Sequence, residues 1–94
     1  MGSERRREPA SDPPPLFTER QWRQLARQLE LTPRQVAVAQ LICAECQISD
    51  MARRMHVSPN TVGSHLKKLY VRLGVRSRVG VVIRLVLAAR KLEA

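Results

Sequence analysis

The stretch Val57–Gly74, VSPNTVGSHLKKLYVRLG, constrains this chain more than any other. It carries a helix start, an apolar stripe, and an opposite polar face with cations and no acid. Ser58 is a good N-cap, because its hydroxyl can accept a hydrogen bond from an amide of the first turn. Pro59 suits the first helical position, where its missing N–H costs nothing. Val57 and Val62 have the spacing of a hydrophobic staple. Val62, Leu66, Leu69, Tyr70 and Leu73 share about one third of the helical circumference, the width of a core-facing stripe. Asn60, Gly63, Ser64, Lys67 and Val71 lie opposite.

That outward set fits an ordinary amphipathic surface helix. It also fits a helix lying in the major groove of duplex DNA. Asn can read adenine, Lys can read guanine, Ser adapts to either, and Gly permits close approach. The preceding residues favour the second reading. Ser49 can cap a short helix that ends near Met55 and leads into Ser58. Ala52 stands ten residues before Val62, a spacing that suits a helix-turn-helix whose helices cross closely at a small residue. His56 falls in the turn, where a positive φ is wanted and a β-branched residue would be strained.

From Leu31 to about Leu87 the chain resembles a LuxR-type (GerE-like) helix-turn-helix domain. The resemblance rests on Leu31-Thr32-Pro33-Arg34, Ala52 with Met55, Ser58, Thr61-Val62, His65, and Leu73-Gly74-Val75-Arg76-Ser77-Arg78. It implies an all-α domain of four helices, the third for recognition and the fourth as the usual dimer contact. It also implies base contacts from Gly63, Ser64 and Lys67. Three positions depart from the family pattern. Gly63 stands where a cation is common. Glu45 stands where glycine ends the first helix, so that helix is expected to run longer or its turn to be reshaped. Gln35 replaces the common Glu after Arg34, and Gln serves a capping box equally well.

Charge points to the same partner independently. The chain carries +9 overall with a pI of about 11.3. Met51–Leu92 holds ten Lys or Arg and no acid, whereas the remainder is near neutral. A basic half joined to a balanced half is the footprint of a polyanion binder. A membrane surface would require a basic helix with a broad, bulky apolar face; the stripe here is better used as core.

Ninety-four residues suit one small domain. With three aromatic residues in all, its core must be mostly aliphatic. No apolar run is long enough to span a bilayer, and the charged, Pro-rich start is unlike a signal peptide. An intracellular protein, cytoplasmic and nucleoid-associated, is therefore expected. Met1 and the polar start favour a complete small protein over a fragment of a longer receptor or response regulator. Cys43 and Cys46 form a CxxC, with His56 and His65 as further metal-ligand types, but the spacings do not match a zinc site. Small buried hydrophobes describe these thiols better, so no metal and no cofactor is expected.

Three regions follow. Residues 1–15 read as a disordered tail, in which Arg5-Arg6-Arg7 is either a solvated charge run or a minor-groove arm. Residues 16–30 read as an added helix. There Phe17 can pack on Trp22, Thr18 can cap reciprocally with Gln21, and Trp22, Leu25, Ala26 and Leu29 form its stripe. Residues 31–94 hold the helix-turn-helix and a last helix from about Arg78, capped by Ser77. That last helix has two apolar strips. Val79, Val82, Ile83 and Val86 form one; Val81, Leu85, Ala88 and Leu92 form the other. One strip serves the core. The other, taken as Val81, Leu85, Ala88 and Leu92, is expected to form a homodimer contact, unless the added helix covers it.

No nucleophile beside a base, phosphate loop or paired carboxylates in the basic half suggests an enzyme. The expected function is that of a sequence-specific duplex-DNA regulator. Asn60, Gly63, Ser64 and Lys67 would contact bases. Ser58, Thr61, Lys68, Arg72, Arg76, Arg78, Arg34, Arg53 and Arg54 would contact phosphates. RNA polymerase or another regulator is a further possible partner. The rival reading is a module of the same fold that sequesters a regulator, which the outward Val71 would suit.

Overall fold

A computed structural model describes residues 15–93. The described residues are all-α, in the order α1 (Glu19–Gln28), α2 (Pro33–Cys43), α3 (Ile48–Met55), α4 (Pro59–Leu73) and α5 (Arg78–Glu93). The expected tail over 1–15, with Arg5-Arg6-Arg7, lies outside the described residues except for Pro15.

The helix starts follow the sequence closely. Thr18 and Thr32 each accept a hydrogen bond from the backbone N–H of Gln21 and Gln35. The two glutamine side chains accept one back from the threonine amides, at 2.8 and 2.9 Å. These are reciprocal capping boxes. Phe17 meets Trp22 edge-on, with ring centroids 5.3 Å apart. Ser58 accepts from the Thr61 amide, and Ser77 accepts from the Gly80 amide. Helix α3 differs from expectation. Its N-cap is Gln47, which makes no side-chain capping bond, so Ser49 lies inside the first turn. Asp50 in that turn faces the helix's positive end instead.

The helix ends share one design. After α1, α2, α3 and α4 the chain passes through Glu30, Glu45, His56 and Gly74, all in the left-handed region at φ 54°, 60°, 58° and 70°. The next residue's amide then reaches back across the last turn. Leu31 donates to the Ala26 carbonyl, Cys46 to Leu41, Val57 to Ala52 and Val75 to Tyr70, at 2.8–3.0 Å. This is the Schellman closure, and its following apolar residue packs inward. Leu31 and Cys46 are buried, and Val57 and Val75 are partly so. Glu45 therefore neither extends α2 nor reshapes its turn. It adopts the conformation that glycine would take, and the apolar residue after it anchors the turn.

The core runs through every helix. Leu25, Val38, Met51, Val62, Leu69, Val81 and Leu85 are its largest fully buried side chains, and among the described residues no polar or charged one is buried. Helix α4 packs on α2 and α3, while α5 packs on α1, α2 and α4. The first turn of α5 comes so near the preceding loop that a Cβ on Gly80 would stand 2.9 Å from Val75 Cβ. The added helix is thus part of the domain. Trp22, Leu25 and Leu29 are buried, and Gln21 Nε2 donates to Glu93 Oε2 at 3.2 Å, joining the start of α1 to the end of α5.

That packing corrects the assignment of the dimer strip. Val81, Leu85 and Ala88 lie in the core of a single chain and cannot form an exposed contact. The strip facing outward is Val79, Ile83 and Leu87, which are 67%, 54% and 51% exposed. Of the expected set only Leu92 is exposed.

Candidate nucleic-acid interface

Helix α4 presents two faces. Val62, Leu66, Leu69 and Leu73 are buried, which fixes its rotation against α2 and α3. Asn60, Ser64, Lys67, Lys68, Val71 and Arg72 are consequently exposed. A Cβ added at Gly63 would meet nothing within 4 Å. The glycine is therefore not demanded by packing within the chain.

The start of α2 stands beside this face. Gln35 lines an open groove with Lys67, Lys68, Val71 and Arg72. Its capping box uses the amide oxygen, and the amide nitrogen remains able to donate. The sequence suggested only the capping role for Gln35; the groove arises from the crossing of α2 and α4, which no local pattern reveals. Arg34 belongs to the same corner. Burial, then the charges of Arg34 and Lys68, hold His65 below the ordinary histidine range. His65 therefore adds no full charge at neutral pH to a corner that is already cationic.

The hydroxyls at the helix start are partly spent. Ser58 Oγ lies 3.1 Å from the Thr61 amide and 3.0 Å from Thr61 Oγ1. Two hydroxyls hold two hydrogens, and their mutual bond uses one. One remains to donate to an anion at the first turn of α4.

The other expected phosphate contacts separate into three groups. Arg54 on α3 and Arg76 in the loop before α5 are exposed. Arg53 pairs with Asp50 on its own helix, and Arg72 lies 3.7 Å from Glu30. Both pairs are largely solvent-exposed, so they are weak and yield to a stronger anion. Arg78 is different. Its guanidinium turns inward, donates to the Cys46 carbonyl and sits 3.5 Å from Met51 Sδ. It clamps the start of α5 to the α2–α3 turn and satisfies a carbonyl there. That bond gives Arg78 a structural role, which the phosphate reading did not include.

The cysteines are free, Cys46 buried and Cys43 half-buried. Burial pushes the Cys43 thiol up to about 11, which suppresses the reactive thiolate. Among the described residues no three His, Cys, Asp or Glu come together as a metal site, and no helix is long and apolar enough to cross a membrane.

Comparison with known proteins agrees with this geometry. The profile described as bacterial regulatory proteins, luxR family (GerE), matches residues 29–85. Proteins named as HTH-type transcriptional regulators in Mycobacterium bovis and in two strains of Mycobacterium tuberculosis are 42% identical over 52 residues. That alignment covers 55% of this chain and 6% of each relative, so the chain matches only a small part of those much longer proteins. No solved structure matches. The matched region takes in α2, α3, α4 and the first half of α5, and with it the whole exposed face described above: the chain belongs to the LuxR (GerE) family of bacterial regulatory proteins, whose helix-turn-helix is a DNA-binding regulatory domain.

Proposed function

We propose that this chain is a sequence-specific transcriptional regulator that binds duplex DNA as a homodimer, with α4 in the major groove. The observation that carries the reading is the outward face of α4. Its apolar residues other than Val71 face the core, and the exposed face carries Asn60, Ser64 and Lys67 with Val71, flanked by Lys68 and Arg72 with no acid on the helix. Asn60, Gly63, Ser64 and Lys67 contact base edges. Lys68, Arg72, Arg76 and Arg54 contact phosphates, with Arg34 and the Ser58–Thr61 pair at the edges and Arg53 released from Asp50. Two copies meet through Val79, Ile83 and Leu87. That places two α4 helices on half-sites about one helical turn apart. The protein acts at the cytoplasmic nucleoid, alongside RNA polymerase or another regulator.

The test is selection from a random duplex pool at moderate salt, followed by titration of variants. The expected outcome is an enriched inverted repeat. Lys67→Ala weakens binding to that repeat more than to random duplex, because base contacts specify. Lys68→Ala and Arg76→Ala weaken both alike and flatten the salt dependence, because phosphate contacts release counterions. Equal losses from all three variants on both duplexes overturn this partition. Retention of no duplex at all favours the rival reading, a module that sequesters another regulator.

A further inference from the structure

Val71 is the most exposed large apolar residue among those described, at 81%. It is not part of the α5 strip, and the core gives it no role. At about 100° per residue, Asn60, Ser64, Lys67 and Val71 fall within about 60° of one another on α4. Val71 therefore continues the line of base-facing residues by one turn beyond Lys67. It shares the groove beside α2 with Lys67, Lys68, Arg72 and Gln35.

A lone apolar side chain ringed by cations is a poor protein-docking patch, because such patches are contiguous and depleted in charge. The same arrangement suits a DNA groove. The cations hold phosphates on either side, and the one apolar group meets the one apolar feature of the major-groove edge, the thymine 5-methyl. Reach is sufficient. Val71 stands eleven positions after Asn60, about 16 Å along the helix, or roughly five base-pair steps at 3.4 Å per step.

We propose that Val71 is a specificity-determining residue that packs on a thymine 5-methyl in the half-site, beyond the bases met by Lys67. This rests on the DNA-binding reading above. The γ-methyls of Val71 and the base methyl exclude water from each other, so removing either partner costs what one methyl group gains on leaving water, about fourfold in affinity.

The test uses the duplex enriched by the wild-type chain. Each thymine is replaced singly by deoxyuridine, which deletes the 5-methyl and keeps every hydrogen-bonding group. One position, outside those affected by Lys67→Ala, is expected to lower wild-type affinity about fourfold. Val71→Ala is expected to lower affinity for the all-thymine duplex by a similar factor and to be indifferent to deoxyuridine at that position, the signature of a coupled pair. Selection with Val71→Ala should lose the thymine preference there and nowhere else. Val71→Ala shortens a side chain that is 81% exposed and favours the helix, so thermal melting no lower than that of the wild type separates recognition from folding. Three results overturn the inference and leave DNA binding intact: an enriched site without such a thymine, no deoxyuridine effect, or equal deoxyuridine effects on both proteins. If no duplex is enriched, the DNA-binding reading fails, and the assignment of Val71 fails with it.

Discussion

Glu45→Gly should make this domain more stable, and the size of the gain follows from one backbone angle. Glu45 sits at φ 60°, where a Cβ crowds the following carbonyl at a cost of roughly 1–2 kcal/mol. Glycine escapes that cost but loses more chain entropy on folding, roughly 0.5–1 kcal/mol. A second term has the same sign. The Glu45 carboxylate lies at the negative end of α2, and removing an acid from a helix C-terminus gains a few tenths of a kcal/mol. The net expectation is a gain of about 1 kcal/mol. For a domain of this size that raises the midpoint by roughly 4–8 °C. Glu45 makes no ion pair among the described residues, so no tertiary contact confuses the result; Glu30, beside Arg72, would be a poorer choice. The assay is circular dichroism, melting the wild type, Glu45→Gly and Glu45→Ala, with urea unfolding as a check. Alanine removes the charge and keeps the Cβ, so it isolates the electrostatic term and should remain near wild type. Glycine no more stable than alanine would refute the argument, because α2 would then not end through a left-handed residue.

Two further outcomes follow from single positions. Gly63→Ala should raise thermal stability by about 0.5–1 kcal/mol, since a mid-helix glycine is costly and the new methyl meets nothing; it should also weaken binding to the selected duplex, because close approach is then the reason for the glycine. Affinity that is unchanged or improved, measured by anisotropy, would remove Gly63 from the base-contacting set. The folded thiol of Cys43 is pushed from 9.0 up to about 11, so the folded state holds its proton more tightly than the unfolded one. That contribution to stability is fully present below about pH 9 and is lost as pH rises toward 11; urea midpoints of Cys43→Ala should fall less steeply across this window than those of wild type.

Helix starts other than that of α3 were legible because each is written within four consecutive residues, as in Thr-x-x-Gln twice and Ser-Pro before α4; the uncapped Gln47 of α3 carries no such signal. The helix ends were only partly so. Gly74 announces itself, and His56 was foreseeable from its place in the turn. Glu30 and Glu45 carry no local signal, because what holds them left-handed is the inward packing of Leu31 and Cys46 one residue later. A tertiary contact there overrides a backbone preference. Arg78 escaped for a similar reason. Its charge suggested a phosphate, but its partner, the Cys46 carbonyl, lies 32 residues away. The outward face of α4 was readable throughout, since one helical period fixes both of its sides. The groove shared with Gln35 was not, because it requires α2 beside α4.

Helix α5 is where periodicity had no power to decide. Both its strips are aliphatic, and only the helices packed on it determine which one turns inward. Helices α1, α2 and α4 bury Val81, Leu85 and Ala88 and leave Val79, Ile83 and Leu87 outside. Two substitutions two residues apart should therefore behave in opposite ways. Leu85→Ala opens a cavity in a closely packed aliphatic core and should cost roughly 2–5 kcal/mol of folding stability. Ile83→Glu lies on the surface, where substitutions change folding by about 0.5 kcal/mol or less. Across a two-fold contact, however, it sets like charges into the same apolar strip twice. Ile83→Glu should remain folded by circular dichroism yet sediment as a monomer, and its binding to a full inverted repeat should drop toward that of a half-site. Should Ile83→Glu sediment as a dimer, the outward strip is not the contact between copies, and the proposed homodimer would have to pair its α4 helices through another surface.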